Sequence, residues 1–438
     1  MDWPESSDAP PLGDGRRAVA VDRPDSVEVL REIVRRRAAE GLAIYPQGGK
    51  TALDYGGIPR RPGVALDTTA LNSVIDYPAA DMTITVGSGI TLAKLQEVLA
   101  TEGQFLPLDA PHPDSATLGG IYATNTCGPR RFGWGRPRDM IIGVSFVTAD
   151  GKGVKGGGRV VKNVAGYDFP KLLTGSMGAL GIITQMTLKV RPKPEASALV
   201  IAGYSRLGDL AADLARMNTS DTRPMMMDVL SPEAGYLLEA EANRGSHGLR
   251  ERMWTLVLGY EDNAASVAWQ VQRASAELSA GKIETHTTGE DSLTRAILLA
   301  ISSFPADRIE SIDGSSDHPS QSPLSFVASV RRGSVSAFLE SLQLDRWLAV
   351  AHAGSGIIHA HANPLDLPEE TWTGEIQRLR DAADRLGGSL ILSRCPIEWK
   401  ARLKVWGDRR GDWAIMEKIK GALDPAGVMN PGRFVGTI

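Results

Sequence analysis

Apolar positions recur along the chain with two distinct periods, and the changes of period mark out its elements. Val27, Leu30, Val34 and Ala38 stand three and four apart, the spacing of one buried helix face. Asp25 with Glu28 reads as a capping box at its start, and Gly41 as its stop. Leu42 to Tyr45 is a short apolar strand, and a second strand is expected near Val64–Leu66. Met82, Ile84 and Val86 alternate as a strand does, then Thr91 opens a helix carrying Leu92, Leu95 and Leu99 on one side. Met140 to Thr148 forms another strand, Asp150-Gly151 turns it into a hairpin, and Ile182 to Val190 runs until Arg191-Pro192. From residue 196 onward, strands at 199–201, 225–230 and 255–260 alternate with helices at 207–217 and 264–278, and a βαβ-like pair spans 324–352. That second half suits an antiparallel sheet with helices on one face.

Length bounds the interpretation: 438 residues fit two or three domains with ample core. Residues 1–15, acidic and rich in Pro and Gly, are expected to be a disordered tail, and 311–323, rich in Ser, Asp and Pro, a mobile loop. A net charge of −4 supplies no field to recruit nucleic acid. Cys127 and Cys395, the two cysteines, cannot ligate an iron–sulfur cluster or build a disulfide framework. No apolar run is long enough to span a membrane, so a cytoplasmic location is expected.

Candidate chemistry lies mainly in the loops. Pro46-Gln47-Gly48-Gly49-Lys50-Thr51 follows a strand. Its two glycines permit φ > 0, and its amides, the Lys50 charge and the Thr51 hydroxyl suit a phosphate. A plain turn accounts for the same residues, and the P-loop spacing is absent because position 44 is Ile. Gly87-Ser88-Gly89 imitates a dinucleotide fingerprint, but Leu92 stands where a third small residue is required, so a tight turn is expected there. Pro111 and Asp114 lie in a loop that leads to Thr117, which can cap a short helix holding Leu118, Gly119 and Gly120. Asn125, Gly128, Arg130 and Arg131 follow, the arginines reading either as an anion grip or as a solvated basic loop. Met225-Met226-Met227 reads as a packed strand or the lining of a soft pocket. His352, His359 and His361 gather three of the seven histidines, and residues two apart on a strand face one side.

Taken together, the Gly48-Gly49 loop, Ala116-Thr117-Leu118-Gly119-Gly120 and Gly128-Pro129-Arg130-Arg131 form one part of a pattern. Lys162-Asn163-Val164-Ala165-Gly166-Tyr167-Asp168, Gly178 to Ile183, and Asp424 to Phe434 complete it. The pattern resembles the FAD-binding domain of the vanillyl-alcohol oxidase and p-cresol methylhydroxylase superfamily, most nearly the FAD-binding subunits of bacterial glycolate oxidases. The resemblance implies an α+β fold: a two-lobed FAD domain over 16–195, a cap with an antiparallel sheet over 196–365, and the end of the cap with a return to the flavin over 366–438. It places Gln47–Thr51 with Pro46 at the FAD pyrophosphate. Thr117, Gly119 and Gly120 would line pyrophosphate and flavin, Gly178, Gly181 and Ile183 would sit by the adenosine, and Asn430 would approach the isoalloxazine; Pro111, Asp114, Leu118, Asn125, Gly128, Ile182 and Arg433 are further cofactor-binding candidates. No histidine precedes Pro111, so non-covalent FAD is expected.

Related catalytic dehydrogenases hold a metal with His-x-Gly-Asp-Gly-Asn-x-His and a later Glu. Here Ser355 and Ile357 replace the Asp and Asn, and Ser393-Arg394-Cys395-Pro396 replaces the Glu segment, so no metal is expected. The implied function is the flavoprotein subunit of a complex oxidising glycolate or another 2-hydroxy acid, beside a catalytic flavoprotein and an iron–sulfur subunit. Membrane association would come only through those partners. A stand-alone 2-hydroxy-acid dehydrogenase and a scaffold subunit with structural FAD are the alternatives. Arg130, Arg131, His352 and His359 are the candidates for catalysis, none with an assigned role.

Overall fold

The computed structural model describes residues 3, 9–158, 166–242, 252–279, 282–288, 292–304, 324–362 and 368–438. The expected loop at 311–323 and Lys162–Ala165 lie outside them. The chain divides into two compact units, one of residues 1–127, 136–193 and 400–438, the other of 128–135 and 194–399. Among the described residues, no helix is long and apolar enough to cross a membrane.

Among the described residues, the first unit contains two larger sheets beside two two-stranded ones. A parallel sheet runs in the order Ala20–Asp22, Gly63–Asp67, Ala43–Gln47. The helix Val27–Ala39 supplies Leu30, Ile33 and Val34 to the cluster that also buries Ile44, Val64, Leu66 and Met429. Its cap is Ser26 rather than Asp25: Ser26 is extended at φ −142°, and its hydroxyl accepts from the Val29 amide. The second sheet is antiparallel, in the order Gly153–Gly157, Ile141–Val147, Ile182–Lys189, Thr83–Gly87, Val74–Asp76. Thr83–Gly87 therefore has antiparallel neighbours, and Gly87-Ser88-Gly89 is a tight strand-to-helix turn. The C-terminal segment adds to the edge of the parallel sheet, with Ile44 N donating to Val428 O at 2.8 Å and Asn430 N to Ile44 O at 2.9 Å.

The tail expected over 1–15 needs correction over its described stretch, 9–15. Pro11–Gly13 pairs with Arg16–Arg17, and Leu12 and Asp14 are buried. Gly13, Asp14 and Gly15 all take positive φ to make the turn. Polarity suggested a loose end, but a buried ion pair holds Asp14 inside.

The second unit is an eight-stranded antiparallel sheet among the described residues. It begins with Lys282–Thr288, Ala196–Tyr204, Trp254–Asp262 and Met226–Leu230, and continues with Trp347–His352, Ile357–Ala362, Ser325–Ser329 and Ser389–Arg394. The βαβ-like pair of 324–352 is not adjacent: Ile357–Ala362 lies between its two strands and pairs antiparallel with both. Met226 and Met227 are buried in strand packing.

Candidate functional site

The strand Ala43–Gln47 delivers the loop Gly48–Thr51 at its end. Its glycines are required by a close crossing. A β-carbon at Gly48 would lie 1.9 Å from the Thr117 hydroxyl, and one at Gly49 would lie 1.7 Å from the Ser115 carbonyl oxygen. The positive φ expected of these glycines falls instead on Lys50, at 62°. Among the described residues, no acceptor is found for the amides of Gly48, Gly49, Lys50 and Thr51. A half-buried run of unpaired N–H groups with a left-handed residue in it makes a concave donor set for an anion.

Thr117 caps the helix Leu118–Thr124 behind this loop, as its sequence requires. The amides at that helix start are not free, however. Leu118 N donates to Ile90 O and Gly119 N to Ser88 O, and Gly120 N donates to the Thr117 hydroxyl at 3.3 Å. Anion binding here therefore rests on the 48–51 amides, while 117–120 serves as the wall they pack on. Pro111 and Leu118 are buried and Asp114 is exposed. Asn125 ends the helix in the left-handed region.

Gly178, at φ 68°, lies against Pro46 and the Asn430 carboxamide. That carboxamide donates to Met177 O. Gly181 is at φ 151° and leads into the buried strand residues Ile182 and Ile183. Two side chains assigned to the cofactor do other work. Gln47 is buried and donates from Nε2 to Pro11 O at 2.8 Å. Arg433 is buried, with Nη1 at 2.7 Å from both Asp14 Oδ2 and Gly57 O, and Nη2 on Leu53 O. Desolvation pulls the pKa of Arg433 below the usual guanidinium value despite Asp14.

Gly128, Arg130 and Arg131 belong to the second unit, where Gly128 is buried and both arginines are half-buried, so they are not a freely solvated loop. Arg130 Nη1 meets Glu261 Oε1 at 3.1 Å, and Trp134 Nε1 donates to Glu261 Oε2 at 2.8 Å. The short helix Arg131–Trp134 packs closely on the sheet, since a β-carbon at Gly354 would meet the Phe132 ring at 2.6 Å.

The same unit gathers a histidine cluster. His352, buried, pairs through Nδ1 with the buried Asp228 Oδ2 at 3.0 Å. A carboxylate accepts, so Nδ1 carries a proton. Nε2 has no partner among the described residues. The His359 ring lies 5.2 Å from that of His352. Desolvation, then His352, His361 and the Arg131 guanidinium, hold His359 well below the ordinary histidine pKa. His361 spends both ring nitrogens elsewhere: its Nε2 donates to Phe304 O at 2.5 Å, and its Nδ1 accepts from the Ser325 hydroxyl at 2.6 Å. Among the described residues, no three His, Cys, Asp or Glu side chains come together as a metal would require. Asp228 was missed from sequence; an aspartate inside the apolar run Met225–Leu230 was the available signal.

Residues 18–157 match the FAD binding domain family, and 407–434 match the C-terminal domain of FAD linked oxidases. The chain is 24% identical over 427 residues to the glycolate oxidase subunit GlcD of Bacillus subtilis, covering 95% of this chain and 88% of the relative. It is 25% identical over 438 residues to a D-lactate dehydrogenase of Archaeoglobus fulgidus, covering 98% and 94%. It is 36% identical over 176 residues to the glycolate oxidase subunit GlcE of Escherichia coli, covering 40% and 49%. An alkyldihydroxyacetonephosphate synthase structure shares the fold, with a TM-score of 0.67 and 20% identity, over 94% of this chain and 75% of that one.

Proposed function

We propose that this chain, built on the plan of the FAD-linked oxidases, is a flavin-dependent oxidoreductase that takes 2-hydroxy acids to 2-oxo acids as one subunit of a multi-subunit complex. The observation that carries the flavin is the run of unsatisfied amides at Gly48–Thr51, a donor set suited to a diphosphate. The relatives named for glycolate, D-lactate and D-2-hydroxyglutarate support the substrate class. When bound, FAD supplies the acceptor for the hydride of the alcohol carbon. Lys50 adds positive charge to the diphosphate loop, and Pro46, Gly178 and Asn430 shape the adjoining wall. In this reading the cofactor is held without a covalent bond. A catalytic flavoprotein and an iron–sulfur subunit are the partners, and the complex works in the cytoplasm.

A second reading, a stand-alone 2-hydroxy-acid dehydrogenase, is favoured by the Asp228–His352 pair. That pair, within the second unit, is a carboxylate-oriented imidazole of the kind that accepts a proton. The two readings separate on anaerobic reduction of the flavin in the purified chain by glycolate, D-lactate and D-2-hydroxyglutarate. Slow or absent bleaching, restored by the co-expressed partner subunits, is the expected outcome. Rapid bleaching of the single chain that is lost in His352→Gln selects the stand-alone enzyme. Failure of both the chain and its complex to be reduced by any 2-hydroxy acid overturns the substrate class.

A further inference from the structure

The loop that offers the four free amides is fastened at both ends by side chains bonded within the protein. Upstream, the Gln47 carboxamide is tied to Pro11 O. Downstream, Lys400 Nζ donates to Asp54 O at 2.6 Å and to Gly56 O at 3.0 Å. Arg433 donates to Leu53 O and Gly57 O. These two cations share one buried counter-ion, Asp14, whose Oδ1 lies 2.5 Å from Lys400 Nζ and whose Oδ2 lies 2.7 Å from Arg433 Nη1. The Asp14 amide also donates to Asp54 Oδ1 at 2.8 Å. A β-carbon at Gly13 would lie 2.0 Å from Leu53 O, so the hairpin and the loop are in direct backbone contact.

Asp14 itself sits at φ 50°, a conformation that a non-glycine residue holds only where its surroundings enforce it. We propose that Asp14 is a positioning residue for the cofactor. The strap Pro11–Arg17, through the Asp14–Lys400–Arg433 cluster, holds loop 47–57 in the shape that aims the amides of Gly48–Thr51 at the FAD diphosphate. This rests on the reading of 48–51 as the diphosphate loop. Four carbonyls of the loop are spent on two buried cations, and Asp14 is the carboxylate that bridges both, at 2.5 Å from Lys400 and 2.7 Å from Arg433. With Asp14 gone, residues 52–57 lose their anchor and the donor array must be ordered by the ligand, which weakens binding.

The test uses the full chain stripped of flavin, with FAD as the probe. FAD affinity is read by fluorescence titration at 10 °C, and amide exchange of the apo chain by mass spectrometry. Asp14→Asn is expected to raise the FAD Kd by about tenfold or more and to speed exchange in 47–57, with exchange in 141–147 unchanged. The double variant Asp14→Asn with Lys400→Gln leaves Arg433 balanced by Asp54, so it removes the anchor without stranding net charge. It decides the matter if the single variant does not fold, and the same rise in Kd is expected. A Kd within twofold of the unaltered chain, or exchange accelerated equally throughout the first unit, overturns the positioning role while leaving the diphosphate loop intact. If the unaltered chain does not bind FAD, the loop assignment itself fails.

Discussion

Acidification should destabilise the second unit through His361. This ring is enclosed between strands Ser325–Ser329 and Ile357–Ala362, with both nitrogens spent on protein oxygens. Burial outweighs the favourable Phe304 carbonyl and lowers its pKa from 6.5 to about 4. A histidine depressed in the folded state contributes fully above its unfolded pKa, and the contribution disappears as pH falls from about 6.5 towards 4. At pH 5 the unfolded ring is almost wholly protonated and the folded ring mostly neutral, which costs about 2 kcal/mol relative to pH 7.5. His359, also depressed, acts in the same direction. Urea unfolding of the full chain and of His361→Gln at pH 7.5 and 5.0 isolates the term, because other acid-sensitive groups cancel between the two proteins. With a slope of about 2–3 kcal/mol/M, the unaltered chain should lose roughly 0.7–1 M more of its midpoint than the variant. Equal losses would refute the assignment of a neutral, doubly bonded His361.

Acid precipitation should release all the yellow colour into the supernatant, since no histidine precedes Pro111; pigment left in the pellet would contradict non-covalent FAD. Gly49→Ala should lower FAD affinity and destabilise the fold by about 1–3 kcal/mol, seen as a lower thermal midpoint, because its methyl group would overlap the Ser115 carbonyl; normal titration and melting curves would show the crossing to be slack. Lys420 Nζ bonds Asp424 Oδ2, Ala179 O and Met429 O in the interior. Lys420→Met should therefore cost about 3–5 kcal/mol by leaving Asp424 buried without its counter-charge, held only by the Val428 and Met429 amides; a loss below about 1 kcal/mol in chemical denaturation would count against that network.

Local pattern determined much of this molecule, because helix faces, caps and strand alternation are settled by near neighbours. Thr91 and Thr117 cap the helices that the sequence assigned to them, and Ile84 and Val86 are buried in the strand their spacing implied. The glycine of Gly48-Gly49 was legible as a necessity, but its reason was not. Only the fold brings Ser115 and Thr117 across the loop and moves the left-handed turn onto Lys50. Tertiary structure alone also joined Asp14 to Lys400 and Arg433, and Asp228 to His352. These pairs are separated by more than a hundred residues and leave no periodic trace. An ion pair between distant segments is specified by where the sheets place them, and a buried aspartate looks in sequence like any solvated one until that placement is known.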